Sequence, residues 1–452
     1  MGTSPAMAGR AGTQRSAPSG ARGRGRRAAA AGLGGVAAVL LVAGCTGPSG
    51  PPAGEPPDAA PESSARAPGT TATPGLPGLL TGIMPEAHGH LGPSIDGNGN
   101  LYTVVEDFPD DGDNEPKAMR STDGGATWSE IDREGRPSAG DLEADWLVQV
   151  GTRIWFGYQK SNGSVFVSAF GTSDDRIDPD TWSVAEKVHE TEIEPEDQWV
   201  SLAARGDGDL WVLYATDPTS RQPYRIGVRP FSAATGDAGD EFLLDPDRTV
   251  SQAVAVAGAG GVTHVFYKDH AERQVFYRSL AADGTLGPSV RVDTDGAHRV
   301  RAPLTNPVVH RVDGAEVVTV AWADESGVLQ AASVEDGRVT GAPRQVSDVP
   351  IVIDPADTTN RGAVAHLAAD GSTVHAVYAD EAAQDVWYDV LTDEAGWGTD
   401  AEVADGLETQ WLPGLLVLPD RGGAPVLGYL YDTGPHGDDS GIIRYDEHLP
   451  GR

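Results

Sequence analysis

The sequence predicts an all-β fold made of repeats, on three observations. Short alternating strands recur with Gly- or Asp-bearing turns between them, helical periodicity is nearly absent, and one strongly apolar strand returns at a steady interval. The returning strands read LYTVVED, IWFGYQK, LWVLYATD, THVFYKD, VVTVAWAD, VHAVYAD and PVLGYLYD. Marked at Val105, Tyr158, Tyr214, Tyr267, Trp322, Tyr378 and Tyr429, they are spaced 53, 56, 53, 55, 56 and 51 residues apart. A period of that length with about four strands per unit belongs to a β-propeller rather than a solenoid. The units number seven, so seven blades are expected, with six blades and an extra hairpin as the alternative.

Before the repeats lie two segments of other character. Residues 1–44 hold six arginines and no acidic residue, and the apolar run from Ala28 to Val42 is too short to span a membrane comfortably. A basic stretch followed by such a run is a secretion signal. It ends in Leu41-Val42-Ala43-Gly44-Cys45, which resembles the lipobox of bacterial lipoproteins. The resemblance implies lipidation of Cys45, anchorage to the membrane through that lipid, and an extracytoplasmic location. Cys45 is the only cysteine, so the domain beyond it has no disulfide, zinc-thiolate or cysteine nucleophile at its disposal. Residues 45–80 are rich in Pro, Gly, Ser, Thr and Ala without apolar periodicity and read as a disordered tether. Such a coil reaches roughly 30–35 Å. The propeller is expected over residues 81–452.

Charge limits the partners. Without the leader the chain keeps 27 basic residues against 67 acidic ones, a formal charge of −40. That surface repels nucleic acid and anionic lipid and keeps a protein soluble and monomeric, while leaving cations and neutral polymers as ligands.

Within each unit two further strands follow the apolar one, joined by turns such as TDGGAT, AADGTLG, VEDGRVTG and TDEAGWG. The seventh unit ends in SGIIRYDEHLPGR with no room for an outermost strand. A segment near Leu79 to Met84 is expected to supply it and so protect the open sheet edge.

The sharpest local motif is Ser121 to Trp128, S-T-D-G-G-A-T-W. Asp123 can accept backbone N–H groups around the turn, Gly124 and Gly125 permit positive φ, and Trp128 plugs the start of the next strand. With Ser121, Asp123, Gly125, Thr127 and Trp128 in place, the stretch resembles the Asp-box repeats of the sialidase-like β-propeller superfamily. The resemblance implies a structural turn on the face away from the ligand. A sialidase would also carry an arginine triad beginning in an F/Y-R-I-P motif, yet residues 67–119 contain no arginine. The clamp on a substrate carboxylate is then incomplete, and sialidase activity is not expected.

Candidate ligand residues open the innermost strands: His90, Asp145, Trp146, Gln198, Trp199, Asn306, Arg361, Gln410 and Trp411. Flat aromatics beside amides and carboxylates suit sugars, because a ring stacks on the apolar C–H face while planar polar groups pair with hydroxyls. Acids after the apolar strands, such as Asp269, Asp324 and Asp380, are expected to cap their own turns. No metal is assigned and no cofactor is required. The oxygen-rich loop with Asp107, Asp111 and Asp113 leaves Ca²⁺ open, although its spacing does not match an EF-hand. The reading is a cell-surface binding or scaffolding module for glycans or envelope polymers. Its alternatives are a glycoside hydrolase or polysaccharide lyase on the same fold, and a protein-binding assembly factor.

Overall fold

The computed structural model describes residues 78–79, 88–107, 115–131, 146–159, 164–176, 179–182, 186–190, 200–206, 208–216, 225–294, 296, 298–351, 365–382, 385–392, 396–404, 409–418, 426–433 and 442–448. The leader, Cys45 and most of the tether lie outside them. The chain divides into Met1–Thr70 and Thr71–Arg452, and every described residue belongs to the second unit.

That unit is an all-β propeller. Among the described residues seven antiparallel sheets follow one another along the chain, each running from an innermost to an outermost strand. The first blade is His88–Ile95, Leu101–Asp107, Glu115–Ser121 and Ser129–Glu130. The second, third and fourth repeat this order from Val148–Val150, Val200–Ala204 and Val250–Ala257 outward. In the fifth blade the inner position is shared by Val300–Leu304 and Val308–Val312, both paired with Ala315–Asp324. Its outer position is shared by Arg338–Val339 and Arg344–Pro350, both paired with Val328–Glu335. The sixth blade runs Ala365–Asp370, Thr373–Ala379 and Val386–Thr392, and its edge is formed by Gly396–Trp397 and Ala401–Ala404.

The seventh blade has Thr409–Leu418, Val426–Thr433 and Ile442–His448 from the C-terminal end, and Gly78–Leu79 from the N-terminal end. Gly78 pairs with Tyr445 and Leu79 with Arg444. Closure is therefore made, but two residues of the expected tether make it. The expected donor Leu79 to Met84 overlaps the observed strand only at Leu79, and the propeller begins before residue 81. Pairing with the last C-terminal strand overrides the low strand propensity of a Gly/Pro-rich segment, because an unpaired ladder of N–H and C=O groups is left otherwise.

Why the apolar strands are continuous runs follows from their position. A blade inside a ring packs on both faces, so alternation is lost: Ile154 to Gln159 and Leu210 to Ala215 are buried at every residue. The seven buried clusters each join two neighbouring blades, and one of them joins the first to the last. Each marker lies in the interface with the blade before it: Tyr158 with the first blade, Tyr214 with the second, Tyr267 with the third, Trp322 with the fourth, Tyr378 with the fifth and Tyr429 with the sixth. Val105 does the same against the seventh blade. Burying each such ring contributes about 1.5–3 kcal/mol.

The turn at Ser121 to Trp128 closes on itself. The Ser121 hydroxyl donates to Asp123 Oδ1 at 2.9 Å and accepts Gly125 N at 2.8 Å. Thr127 donates its N–H to Asp123 Oδ1 at 2.8 Å and its hydroxyl to Oδ2 at 2.6 Å. These bonds hold the Asp123 carboxyl below its ordinary range despite the opposing effect of its partial burial. The Trp128 indole donates to Gly125 O at 3.1 Å and meets Tyr445 edge-on at 5.7 Å. The turn thus ties the first blade to the closing strand of the seventh.

Candidate functional site

The openings of the innermost strands were the expected ligand rim. Two amides there have another use. Gln252 donates to Leu304 O at 3.3 Å and accepts Leu304 N at 2.6 Å, joining the fourth blade to the fifth. Asn306 donates to Leu367 O at 2.7 Å and accepts Leu367 N at 2.9 Å, joining the fifth to the sixth. A planar amide reproduces one rung of a ladder between strands that are not paired. The Asn306 expectation is corrected accordingly: both ends of its amide are occupied by backbone. Trp146, at the second blade's inner strand, packs against the cluster shared by the fourth and fifth blades and so reaches across the centre of the ring. Asp145, Gln198, Trp199 and Arg361 lie outside the described residues. His90, Gln410 and Trp411 are placed only as backbone, within His88–Ile95 and Thr409–Leu418.

The acids behave as turn caps. Asp269 accepts Glu272 N at 2.7 Å, Asp324 accepts Ser326 N at 2.9 Å and Val328 N at 3.2 Å, and Asp380 accepts Asp385 N at 3.2 Å. Of the calcium candidates, Asp111 and Asp113 lie outside the described residues and Asp107 is placed as backbone at a strand end. Among the described residues no three His, Cys, Asp or Glu side chains converge as a metal set.

A groove of about 200 Å³ opens elsewhere, between the fifth and sixth blades. It lies at the end of the fifth blade's third strand, on the face that carries the third-to-fourth-strand turns, opposite to the expected rim. Its origin is local. Ala331, Ala332 and Ser333 place small side chains along that strand, and Gly341 and Ala342 interrupt the outer strand before it resumes at Arg344. The facing wall is Leu391, Thr392 and Trp397 of the sixth blade. Trp397 sits opposite Leu391 in a two-strand ladder, and its indole is only partly buried against the cluster shared by the fifth and sixth blades.

Arg344 pairs with Ala331 in the ladder and extends toward the sixth-blade turn: a Cβ on Gly396 would sit 3.6 Å from its Nη1. Gly396 has φ +76°, so the turn needs glycine there. Arg344 and Glu335 are both exposed, and among the described residues neither makes an ion pair. Beneath them His310 Nε2 meets Thr319 Oγ1 at 2.9 Å, and Thr319 Oγ1 meets Ser333 Oγ at 2.7 Å. Thr340 donates its N–H to Ser333 O at 3.0 Å, which fixes the floor. A flat ring, a five-donor guanidinium and one acceptor carboxylate thus share one small concave space. It is smaller than the roughly 300–1,000 Å³ of drug-sized pockets, so it suits one residue of a longer polymer.

No family model matches the sequence, and no curated protein matches it. Among solved structures, the α-L-arabinanase of Penicillium chrysogenum complexed with arabinobiose is 15% identical, with 81% of this chain and 94% of that one covered at a TM-score of 0.44. The α-L-arabinofuranosidase of Fusarium graminearum is 11% identical, covering 83% and 96% at 0.43. The fucose-recognising lectin of Aleuria aurantia is 12% identical, covering 69% and 93% at 0.43. That lectin is described as six-bladed, whereas seven sheets are formed among the described residues here. At these identities and scores the likenesses carry no functional argument.

The groove was missed in the sequence because its turn, TDEAGWG, reads as a worn copy of the Ser121 to Trp128 turn. Trp397, Trp182 and Trp128 hold the same place at the end of the third-to-fourth-strand turn, and nothing local in the sequence tells which of them a ring from elsewhere will cover.

Proposed function

We propose that this protein is a glycan-binding module held outside the cytoplasm by lipid on Cys45, and that it grips one saccharide residue of an envelope polymer in the groove between the fifth and sixth blades. The observation that carries the reading is the partly buried Trp397 indole lining one groove with Arg344 and Glu335. The indole offers a face for sugar C–H groups, Arg344 donates to ring or hydroxyl oxygens, and Glu335 accepts from hydroxyls. Glu335 is the one carboxylate among the described lining residues, so the two flanking carboxylates of a hydrolase do not support an enzyme here.

The test is an array of glycans and cell-wall polysaccharides probed with the full chain, with Trp397→Ala, and with a variant carrying Trp146→Ala, Trp199→Ala and Trp411→Ala. Trp397→Ala is expected to weaken binding by about tenfold to a hundredfold, as truncating a central aromatic anchor does. Binding unchanged in Trp397→Ala but lost in the triple variant would return the site to the rim and overturn the groove.

A further inference from the structure

Behind the groove the same two walls meet again. Arg344 and Asp348 share the strand Arg344–Pro350, and Trp397 and Asp400 share the sixth-blade edge. At their root Asp348 N donates to Asp400 Oδ2 at 2.6 Å, across the interface. Asp389, on the strand Val386–Thr392, comes to the same place and is 1% exposed. Its Oδ1 accepts Val390 N at 2.7 Å and lies so close to Gly398 that a Cβ there would sit 2.9 Å away.

The other oxygens are left over. Asp389 Oδ2, Asp400 Oδ1 and the Tyr378 hydroxyl are all shut off from solvent; among the described residues Asp389 Oδ2 has no hydrogen-bond partner, and the Tyr378 hydroxyl and the Asp400 carboxylate have only each other. Tyr378 is fully buried, and its hydroxyl is directed at the Asp400 carboxylate with Asp389 and Asp348 around it. No arginine or lysine forms an ion pair with Asp389 or Asp400 among the described residues. Burial, reinforced by the charges of Asp400 and Asp348, pushes the Asp389 carboxyl up to about 6, and burial raises Asp400 as well. Buried carboxylates persist where they are paired or coordinate a metal. A site with oxygen donors only, two of them anionic, is chemistry for a hard cation, with water or backbone completing the shell.

We propose that Asp389, Asp400 and Tyr378 hold a hard divalent cation of the Ca²⁺ type, which clasps the fifth and sixth blades together behind the groove. The site is separate from the Asp107, Asp111 and Asp113 loop and does not rest on the sugar reading. A cation there would neutralise the two carboxylates and satisfy the stranded Asp389 oxygen, with the Tyr378 hydroxyl completing the oxygen set.

The experiment uses the full chain stripped of metal at pH 7.5, titrated with CaCl₂ and separately with MgCl₂ by calorimetry and by thermal melting. The expected result is saturable Ca²⁺ binding that raises Tm by a few degrees, with Mg²⁺ weaker because it demands a tighter octahedral shell. Asp389→Asn and Asp400→Asn should each remove this response. Both changes keep side-chain shape and relieve repulsion, so the metal-free variants should melt no lower than the metal-free parent, which separates loss of the site from loss of the fold. Asp283→Asn, on an exposed turn, should respond as the parent does. A parent that neither binds Ca²⁺ nor melts higher with it overturns the proposal. So does binding that both variants retain, which would place the cation elsewhere.

Discussion

The turns that end in Trp128 and in Trp397 occupy one place in the first and sixth blades, yet they do opposite things. Trp128 is 4% exposed, donates to its own turn and is closed over by Tyr445 from the last strand of the chain. Trp397 lies on the sixth blade's edge opposite Leu391, and the neighbouring blade offers small side chains and Arg344 instead of a ring. The first turn keeps its full set of polar residues because the ring closes on it. The second has lost that set where the ring opens a groove. One repeated position can thus serve closure or recognition, and the neighbouring blade decides which.

The largest expected effect comes from glycine. Gly125 has φ +90°, and a Cβ on it would fall inside the Tyr445 ring. Gly125→Ala should therefore cost about 3 kcal/mol or more. Gly396→Ala meets nothing nearer than Arg344 Nη1 at 3.6 Å and should cost only the left-handed backbone term, about 1–2 kcal/mol. Urea unfolding midpoints of the two variants would show the contrast, and equal losses would break it.

Next come the indoles themselves. Trp128→Ala should cost about 3–5 kcal/mol, as removal of a buried ring does, whereas Trp397→Ala should cost about 1–2 kcal/mol because its site is already partly wet. Only the second should weaken saccharide binding. Stability by thermal melting and affinity by titration, measured on both variants, would separate closure from recognition.

The smallest effect concerns pH. In protein freed of divalent cations, the Asp389 carboxyl titrates near 6 when folded, against 3.8 as its ordinary value. The folded state then binds the proton more tightly, so stability falls as pH rises from about 4 to 6 and stays low above that. Asp389→Asn should remove this slope. It should gain on the order of 1 kcal/mol at pH 7 and nothing near pH 4, by melting across that range. A variant that gains equally at every pH would show the effect to be packing.

What the sequence determined by itself is what repeats locally. Strand alternation, the interval between markers and the bonds of the Ser121 to Trp128 turn all depend on residues close in the chain, so they were legible. The burial of the marker residues followed from the same period. The tertiary structure decided the rest, because each remaining feature pairs residues about one repeat or a whole chain apart. Asn306 and Leu367 are 61 residues apart, Gln252 and Leu304 are 52, and Gly78 meets Tyr445 across nearly the entire domain. A sugar-like amide on a strand end cannot be told from a clamp until the neighbouring blade's backbone is in place. The groove is likewise a property of two blades: Trp397 alone predicts packing, and only the small residues facing it turn the same indole into an open surface.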